Sequence, residues 1–134
     1  MHKHVCLLYF KANTLIRKFS QCSEKIRILL YQMYCGTLYC CSLWCRYKQA
    51  TYTKIKVAYN NAFRILMHLP RFCSASSMFV HRNTLNFEAL LRRSVHSLMQ
   101  RISKSKNTFV AAMYNSDAQF KSPLFQRFKS VLYV

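Results

Sequence analysis

Apolar residues along this chain recur at helical rather than strand spacing, and short polar breaks divide them into a series of segments. Residues 3–19 form the first, a helix whose apolar positions Leu7, Leu8, Phe10, Leu15, Ile16 and Phe19 are only loosely periodic. Ser20, Gln21, Cys22 and Ser23 interrupt it. Ser23 is a good N-cap residue, and Glu24 suits the first turn of the next helix, where a carboxylate meets the positive end of the macrodipole. That second helix is expected to run from Glu24 to about Cys45, with a stripe through Ile26, Leu29, Leu30, Met33, Thr37, Cys40, Cys41 and Trp44. Its other side holds Ile28, Cys35 and Tyr39, and a helix apolar on most sides is either central in a bundle or inside a membrane. Gly36 marks a bend or a close helix contact within it, at a helix cost of about 1 kcal/mol relative to alanine.

After a polar join over residues 46–50, a third helix is predicted over residues 51–69, and it is cleanly two-faced. Ile55, Ala58, Tyr59, Ala62, Leu66 and Leu69 fall on one side; Lys56, Asn60 and Arg64 form an i, i+4, i+8 ridge on the other, with Asn61 and His68 beside it. Pro70 is expected to end this helix, because it lacks an N–H and restricts Leu69. Ser74 then caps a short helix over 75–81. Asn86 caps a longer one, with Leu85 and Leu90 placed as a hydrophobic staple. The longer helix is expected to bury Phe87, Leu91, Val95, Leu98 and Ile102 and to expose Arg92, Arg93, His96, Gln100 and Lys104. Residues 103–107 form a polar link, 109–114 a further short helix, and Ser122-Pro123 starts a last aromatic-rich turn through Phe125 and Phe128. With one glycine and two prolines in 134 residues, the chain has too few turn-formers for a sheet protein. The expected fold is all-α, an irregular helical bundle of about five to seven helices.

Charge sharpens this picture. Twenty-one lysines and arginines face only three carboxylates, Glu24, Glu88 and Asp117, for a net charge of +18. The basic residues are spread along the whole chain, so the folded surface itself is expected to be positive and to call for a polyanion, nucleic acid first and an anionic membrane surface second. The rival reading is a small cationic membrane protein with one spanning helix at about 26–45, a window long enough on length but interrupted by Arg27 and Gln32. Seven cysteines, an odd number without a secretory cleavage site before them, point to free thiols in a reducing interior, nuclear or cytoplasmic.

Candidate chemistry is sparse. A two-metal polymerase or nuclease site needs several gathered acidic ligands, and three scattered carboxylates without an Asp-Asp pair do not provide one. No local signature supports a Cys-His nucleophile. Cys35, Cys40, Cys41 and Cys45 cluster in sequence, but on one continuous helix only Cys41 and Cys45 share a face, which is poor geometry for tetrahedral zinc. No cofactor and no metal are therefore expected. What remains is binding: two helices each oppose an apolar stripe to a basic or amide-bearing ridge, and these ridges are almost free of carboxylates. Lysine and arginine there can neutralise phosphates, while asparagine and glutamine can touch sugars or groove edges. Nine tyrosines and ten phenylalanines offer stacking surfaces, though most lie on the apolar stripes.

Several motifs in one order resemble the segment after the polymerase palm in reverse transcriptases of LINE-type (non-LTR) retrotransposons. They begin with Ala12, Asn13, Leu15, Arg17, Lys18, Phe19, Cys22 and Ser23 and continue through Tyr34-Cys35, Leu38-Tyr39 and Leu43-Trp44-x-x-Tyr47. Val57-Ala58-Tyr59-Asn60-Asn61-Ala62-Phe63-Arg64, Leu69-Pro70-Arg71, Ser74-Ala75-Ser76 and Met78-Phe79 follow, then Phe87-x-x-Leu90-Leu91-Arg92 and Ser122-Pro123-Leu124-Phe125. The resemblance spans roughly residues 11 to 129, and ordered motifs are more specific than any one alone. It implies a thumb-like helical bundle over 1–72 and a post-thumb helical segment over 73–134 packed on it. In that family the thumb holds the template–primer duplex against the palm, mainly through backbone and shape. Carried over by position, Lys56, Asn60, Arg64 and Arg71 become candidate duplex contacts, joined by Arg92 and Arg93 from the later basic ridge. Trp44, Tyr59, Phe63 and Pro70 become structural positions. Endonuclease, fingers, palm and catalytic aspartates are not present in these 134 residues, so the resemblance implies a non-catalytic remnant, with the missing palm as its cognate packing partner.

Overall fold

Among the described residues eight α-helices and one 3-10 turn make up the regular structure, and no strand occurs. The structure is a computed structural model describing residues 2–38, 40–44 and 46–133. It is all-α, an irregular helical bundle, and it divides into two compact units: residues 1–39 with 47–87, and residues 40–46 with 88–134.

The first unit holds α1 (His2–Phe19), α2 (Glu24–Tyr34), α3 (Gln49–Leu66) and α4 (Ala75–His81). α1 lies along α3, and its buried line is Leu8, Ala12 and Leu15 at helical spacing. Ala12 is fully buried although no apolar stripe read from the large residues would include it; its small side chain suits close approach of two backbones. Leu7 and Phe10, expected inside, are exposed instead.

Two expectations about α2 are corrected. The helix stops at Tyr34 instead of continuing to Cys45, so the window proposed to span a bilayer is not one helix. The N–H groups of Cys35 and Gly36 both donate to the Tyr31 carbonyl, at 2.8 and 2.9 Å, closing the last turn tightly. A Cβ on Gly36 would stand 2.6 Å from the Gln32 carbonyl oxygen, so only glycine fits this exit. No helix among the described residues is long and apolar enough to cross a membrane. The buried face is also not the expected one. Tyr31 and Cys35 are inside, whereas Ile26, Leu29 and Met33 are exposed. Aromatic packing decides the rotation: the Tyr31 ring meets those of Tyr59 and Phe63 at 5.2 and 4.8 Å, and its hydroxyl donates to the Tyr59 carbonyl at 3.1 Å. One large ring with a satisfied hydroxyl outweighs the loose aliphatic line opposite.

α3 is the spine of the first unit. Tyr52, Ile55, Ala58, Tyr59, Ala62, Phe63 and Leu66 are buried, too wide a set for a single stripe. It ends at Leu66, three residues before the end predicted from Pro70. His68 adopts the left-handed conformation, φ 54°, the Leu69 N–H donates to the Arg64 carbonyl at 2.9 Å, and the His68 N–H donates to Ile65 at 3.3 Å. This is a Schellman stop, which satisfies the orphan carbonyls before proline is reached. α4 ends the same way: Asn83 has φ 47°, Thr84 donates to Phe79 at 3.0 Å and Asn83 donates to Val80 at 3.1 Å. With one glycine in the chain, histidine and asparagine take these left-handed positions, and Cys40 before the 3-10 turn takes another at φ 54°. Around this spine Tyr31, Tyr59, Phe63, Phe79 and Phe87 form a connected aromatic core.

The second unit contains the 3-10 turn Cys41–Leu43, α5 (Phe87–Ser103, whose first residue belongs to the first unit), α6 (Thr108–Tyr114), α7 (Ala118–Lys121) and α8 (Pro123–Leu132). Side-chain caps form here, whereas Ser23 and Ser74, expected to cap α2 and α4, make no side-chain cap hydrogen bond. The Asn107 side chain accepts from the N–H groups of Phe109 and Val110, and the Ser122 hydroxyl accepts from Phe125, with Pro123 in the first turn of α8. Leu91 and Val95 of α5, Phe128 of α8, and Cys41 and Trp44 around the 3-10 turn are buried.

Candidate nucleic-acid interface

Basic residues cover both units, yet they are not equally available. In the first unit the ridge Lys56, Asn60 and Arg64 on α3 is half-buried, because α1 and the chain after α3 crowd that side. Arg64 is engaged internally. Its Nη2 and Nε donate to the Cys73 carbonyl at 2.8 and 3.2 Å, and its Nη1 donates to Asn61 Oδ1 at 2.8 Å. Asn61 Nδ2 in turn donates to the Tyr9 hydroxyl at 2.9 Å. The chain Tyr9–Asn61–Arg64–Cys73 thus ties α1, α3 and the following turn together, and the forked guanidinium serves as a brace. Arg71 and Pro70 project from that turn, both exposed.

Arg27 acts similarly, donating through Nη1 to the Leu66 carbonyl at 3.1 Å, where a cation also meets the negative end of the α3 dipole. Glu24 of α2 accepts from Arg82 Nε at 2.6 Å, pinning the start of α2 to the end of α4. Of the twelve lysines and arginines in the first unit, several are therefore internal ties of a spare-carboxylate fold.

The second unit presents a different surface. Arg93, His96, Ser97, Gln100, Arg101 and Lys104 line one shallow depression along α5, with no carboxylate among them. All six are exposed. They follow the i, i+3, i+4, i+7, i+8, i+11 spacing of one helix face, about 16 Å long at 1.5 Å per residue. Arg92 is exposed on the adjoining side. The unit as a whole sets nine lysines and arginines against Glu88 and Asp117. A row of cations with interspersed amide and hydroxyl groups matches a phosphodiester backbone, which needs several positive contacts and tolerates any base.

The structure thus places Arg92 and Arg93 on an open face of the second unit, and Lys56, Asn60, Arg64 and Arg71 in the first. Trp44, Tyr59 and Phe63 are buried. Ser97 and Arg101 were overlooked in the sequence, though the signal was present: they continue from Arg93 by four and eight residues, the same ridge rule that singled out Lys56, Asn60 and Arg64.

Among the described residues the shifted groups are buried tyrosines and cysteines. Burial pushes the Tyr31 hydroxyl well above its ordinary range and Tyr59 up to about 12; both donate to backbone carbonyls, Tyr31 to Tyr59 and Tyr59 to Leu85. Cys35 is pushed up to about 11 by burial, against the opposing pull of Lys11, and burial likewise raises Cys41. Thiols held protonated in this way behave as small apolar side chains. Of the cysteine cluster weighed for zinc, Cys35 lies in the first unit, Cys40 and Cys41 in the second, and Cys45 lies outside the described residues. Among the described residues no group of three histidines, cysteines or carboxylates is placed to hold a metal ion. No family model, curated protein or solved structure matches this chain.

Proposed function

We propose that this chain is a non-catalytic nucleic-acid-binding module, comparable to the thumb and post-thumb segment of a LINE-type reverse transcriptase, that grips the phosphate backbone without reading sequence. The observation that supports it is the α5 face, where Arg93, Arg101 and Lys104 stand exposed with His96, Ser97 and Gln100 between them and no carboxylate among them. The helix stripes and ordered motifs in the sequence supply the family comparison, and on that reading the chain binds a duplex while any chemistry belongs elsewhere. Within the first unit Arg71 is exposed, whereas Arg64 contributes by holding its turn in shape.

The test is binding of the purified chain to RNA–DNA hybrid, double-stranded DNA and heparin across a salt series. Preference for the hybrid that persists at moderate salt supports recognition of duplex shape. Equal binding to all three, vanishing steeply with salt, means that only charge is being sensed. The double variant Arg93→Glu/Arg101→Glu is expected to reduce the slope of log affinity against log salt by about 1 per lost phosphate contact. An unchanged slope removes the α5 face from the interface.

A further inference from the structure

Beside the basic row of α5 the second unit contains a groove, and the two are continuous. One part of it, about 430 Å³, is walled by His96, Gln100 and Ser103 of α5, Phe120 of α7, and Phe125 and Lys129 of α8. His96 and Gln100 also line the basic depression, so groove and cation row share an edge. Two rings stand at the groove largely in solvent, Phe120 at 62% and Tyr133 at 82% exposure. Phe120 is braced edge-on by Phe125, ring centres 5.1 Å apart. Exposed aromatic rings over a trough with amide, hydroxyl and ammonium groups on one rim are costly to leave unoccupied.

Resting on the reading above, we infer that this groove takes the unpaired bases of a single-stranded nucleic acid whose phosphates lie along Arg93, Arg101 and Lys104. The chemistry matches on each side. A base has a flat π-face for Phe120 and Tyr133 and a polar edge for Gln100 and Ser103, while its phosphate needs the adjoining cations. A duplex keeps its base faces stacked on one another, so it can use the α5 row but not the groove. The groove therefore adds a preference for single strands that charge alone does not give. A more apolar cavity of about 340 Å³ shares Met99, Tyr114, Phe125 and Phe128 with it and continues past Ile102, Val110 and Met113. A long acyl chain with an anionic head is the competing occupant, favoured by that adjoining apolar cavity and disfavoured by the polar rim.

The experiment uses the full chain with a single-stranded DNA of about 15 nucleotides carrying 2-aminopurine, and a blunt duplex of the same sequence. Phe120→Ala/Tyr133→Ala is expected to weaken single-strand binding about tenfold or more, to abolish the change in 2-aminopurine emission, and to leave duplex affinity unaltered. Phe120→Trp, which keeps a stacking face, is expected to retain both signals. If the alanine pair binds single strands and perturbs emission as the native chain does, while Arg93→Glu/Arg101→Glu still loses binding, stacking is overturned and backbone binding stands. If the native chain binds neither oligonucleotide, both readings fall. Displacement of the single strand by oleate, with quenching lost in proportion, overturns the assignment in favour of an acyl site.

Discussion

Three residues show how this chain makes tight exits with a single glycine. His68 and Asn83 sit in the left-handed region at φ 54° and 47°, each completing a Schellman stop. Such a conformation costs an ordinary L-residue roughly 1–2 kcal/mol, less for asparagine, and glycine escapes it at some entropic cost in the unfolded chain. His68→Gly is therefore expected to raise stability by up to about 1 kcal/mol in urea unfolding, and Asn83→Ala to lower it by about 1 kcal/mol. Gly36 is the opposite case. Its Cβ position is occupied by the Gln32 carbonyl at 2.6 Å, so Gly36→Ala should cost about 1–3 kcal/mol through forced movement of the α2 terminus. Arg64, expected as a duplex contact, is held within the fold by three hydrogen bonds. Arg64→Lys retains the charge but loses the fork on Cys73 and Asn61, and is expected to destabilise the first unit by about 2 kcal/mol. Lower urea midpoints with nearly native DNA affinity would separate bracing from contact; the reverse pattern would make Arg64 a ligand-binding residue.

At the scale of elements, α3 and α5 were the most legible and for the same reason. Each alternates a strong apolar stripe with charged positions over more than four turns, so its buried line could be read directly: Ile55, Ala58, Tyr59, Ala62 and Leu66 in α3, Phe87, Leu91 and Val95 in α5. α2 was not legible, because apolar residues lie on both of its sides and periodicity cannot choose between them. The choice fell to Tyr31, whose ring and hydroxyl both find partners on α3. Phe63, wholly buried between Tyr31 and Phe79, is the keystone of that contact, and Phe63→Ala should cost about 3–5 kcal/mol and broaden the near-ultraviolet dichroism of the aromatic core. Retention of native midpoint and spectrum would mean that α2 does not dock through this ring. The binding ridges divide along the same line. α5 stands open, whereas the comparable ridge of α3 is half-covered, a difference that two similar sequence patterns do not reveal.

For the molecule as a whole, charge and burial set two opposing responses to solution conditions. At +18 the chain repels itself, and raising salt from about 10 mM to about 150 mM shortens the Debye length from roughly 30 to 8 Å. The melting temperature is expected to rise over that range, and a flat response would mean that the basic residues are already neutralised within the fold. Alkali acts the other way. Tyr31, Tyr59 and Cys35 all titrate higher when folded than when unfolded, so the unfolded chain loses its protons first. Their stabilisation is whole below the ordinary cysteine and tyrosine values, 9.0 and 10.0, and drains away as pH rises towards about 11 for Cys35 and about 12 for Tyr59. Unfolding followed by circular dichroism should show this alkaline loss, with a shallower fall between pH 9 and 11 in Cys35→Ala. Reagents for thiols should meet exposed Cys6 and Cys40 quickly and buried Cys35 and Cys41 only on unfolding.

Residue order is enough to make this protein helical, to start most of its helices and to make its surface cationic. Those properties depend on local terms: residue spacing, the placement of polar breaks, the scarcity of glycine, and a count of charges. Tertiary structure alone decided which side of α2 is inside, where α2 and α3 stop, and which cations are braces and which are open. Each of these is a competition between distant partners, Tyr31 with Tyr59, Arg64 with Cys73, Arg82 with Glu24, and no local rule ranks contacts that form only once the chain has folded back on itself.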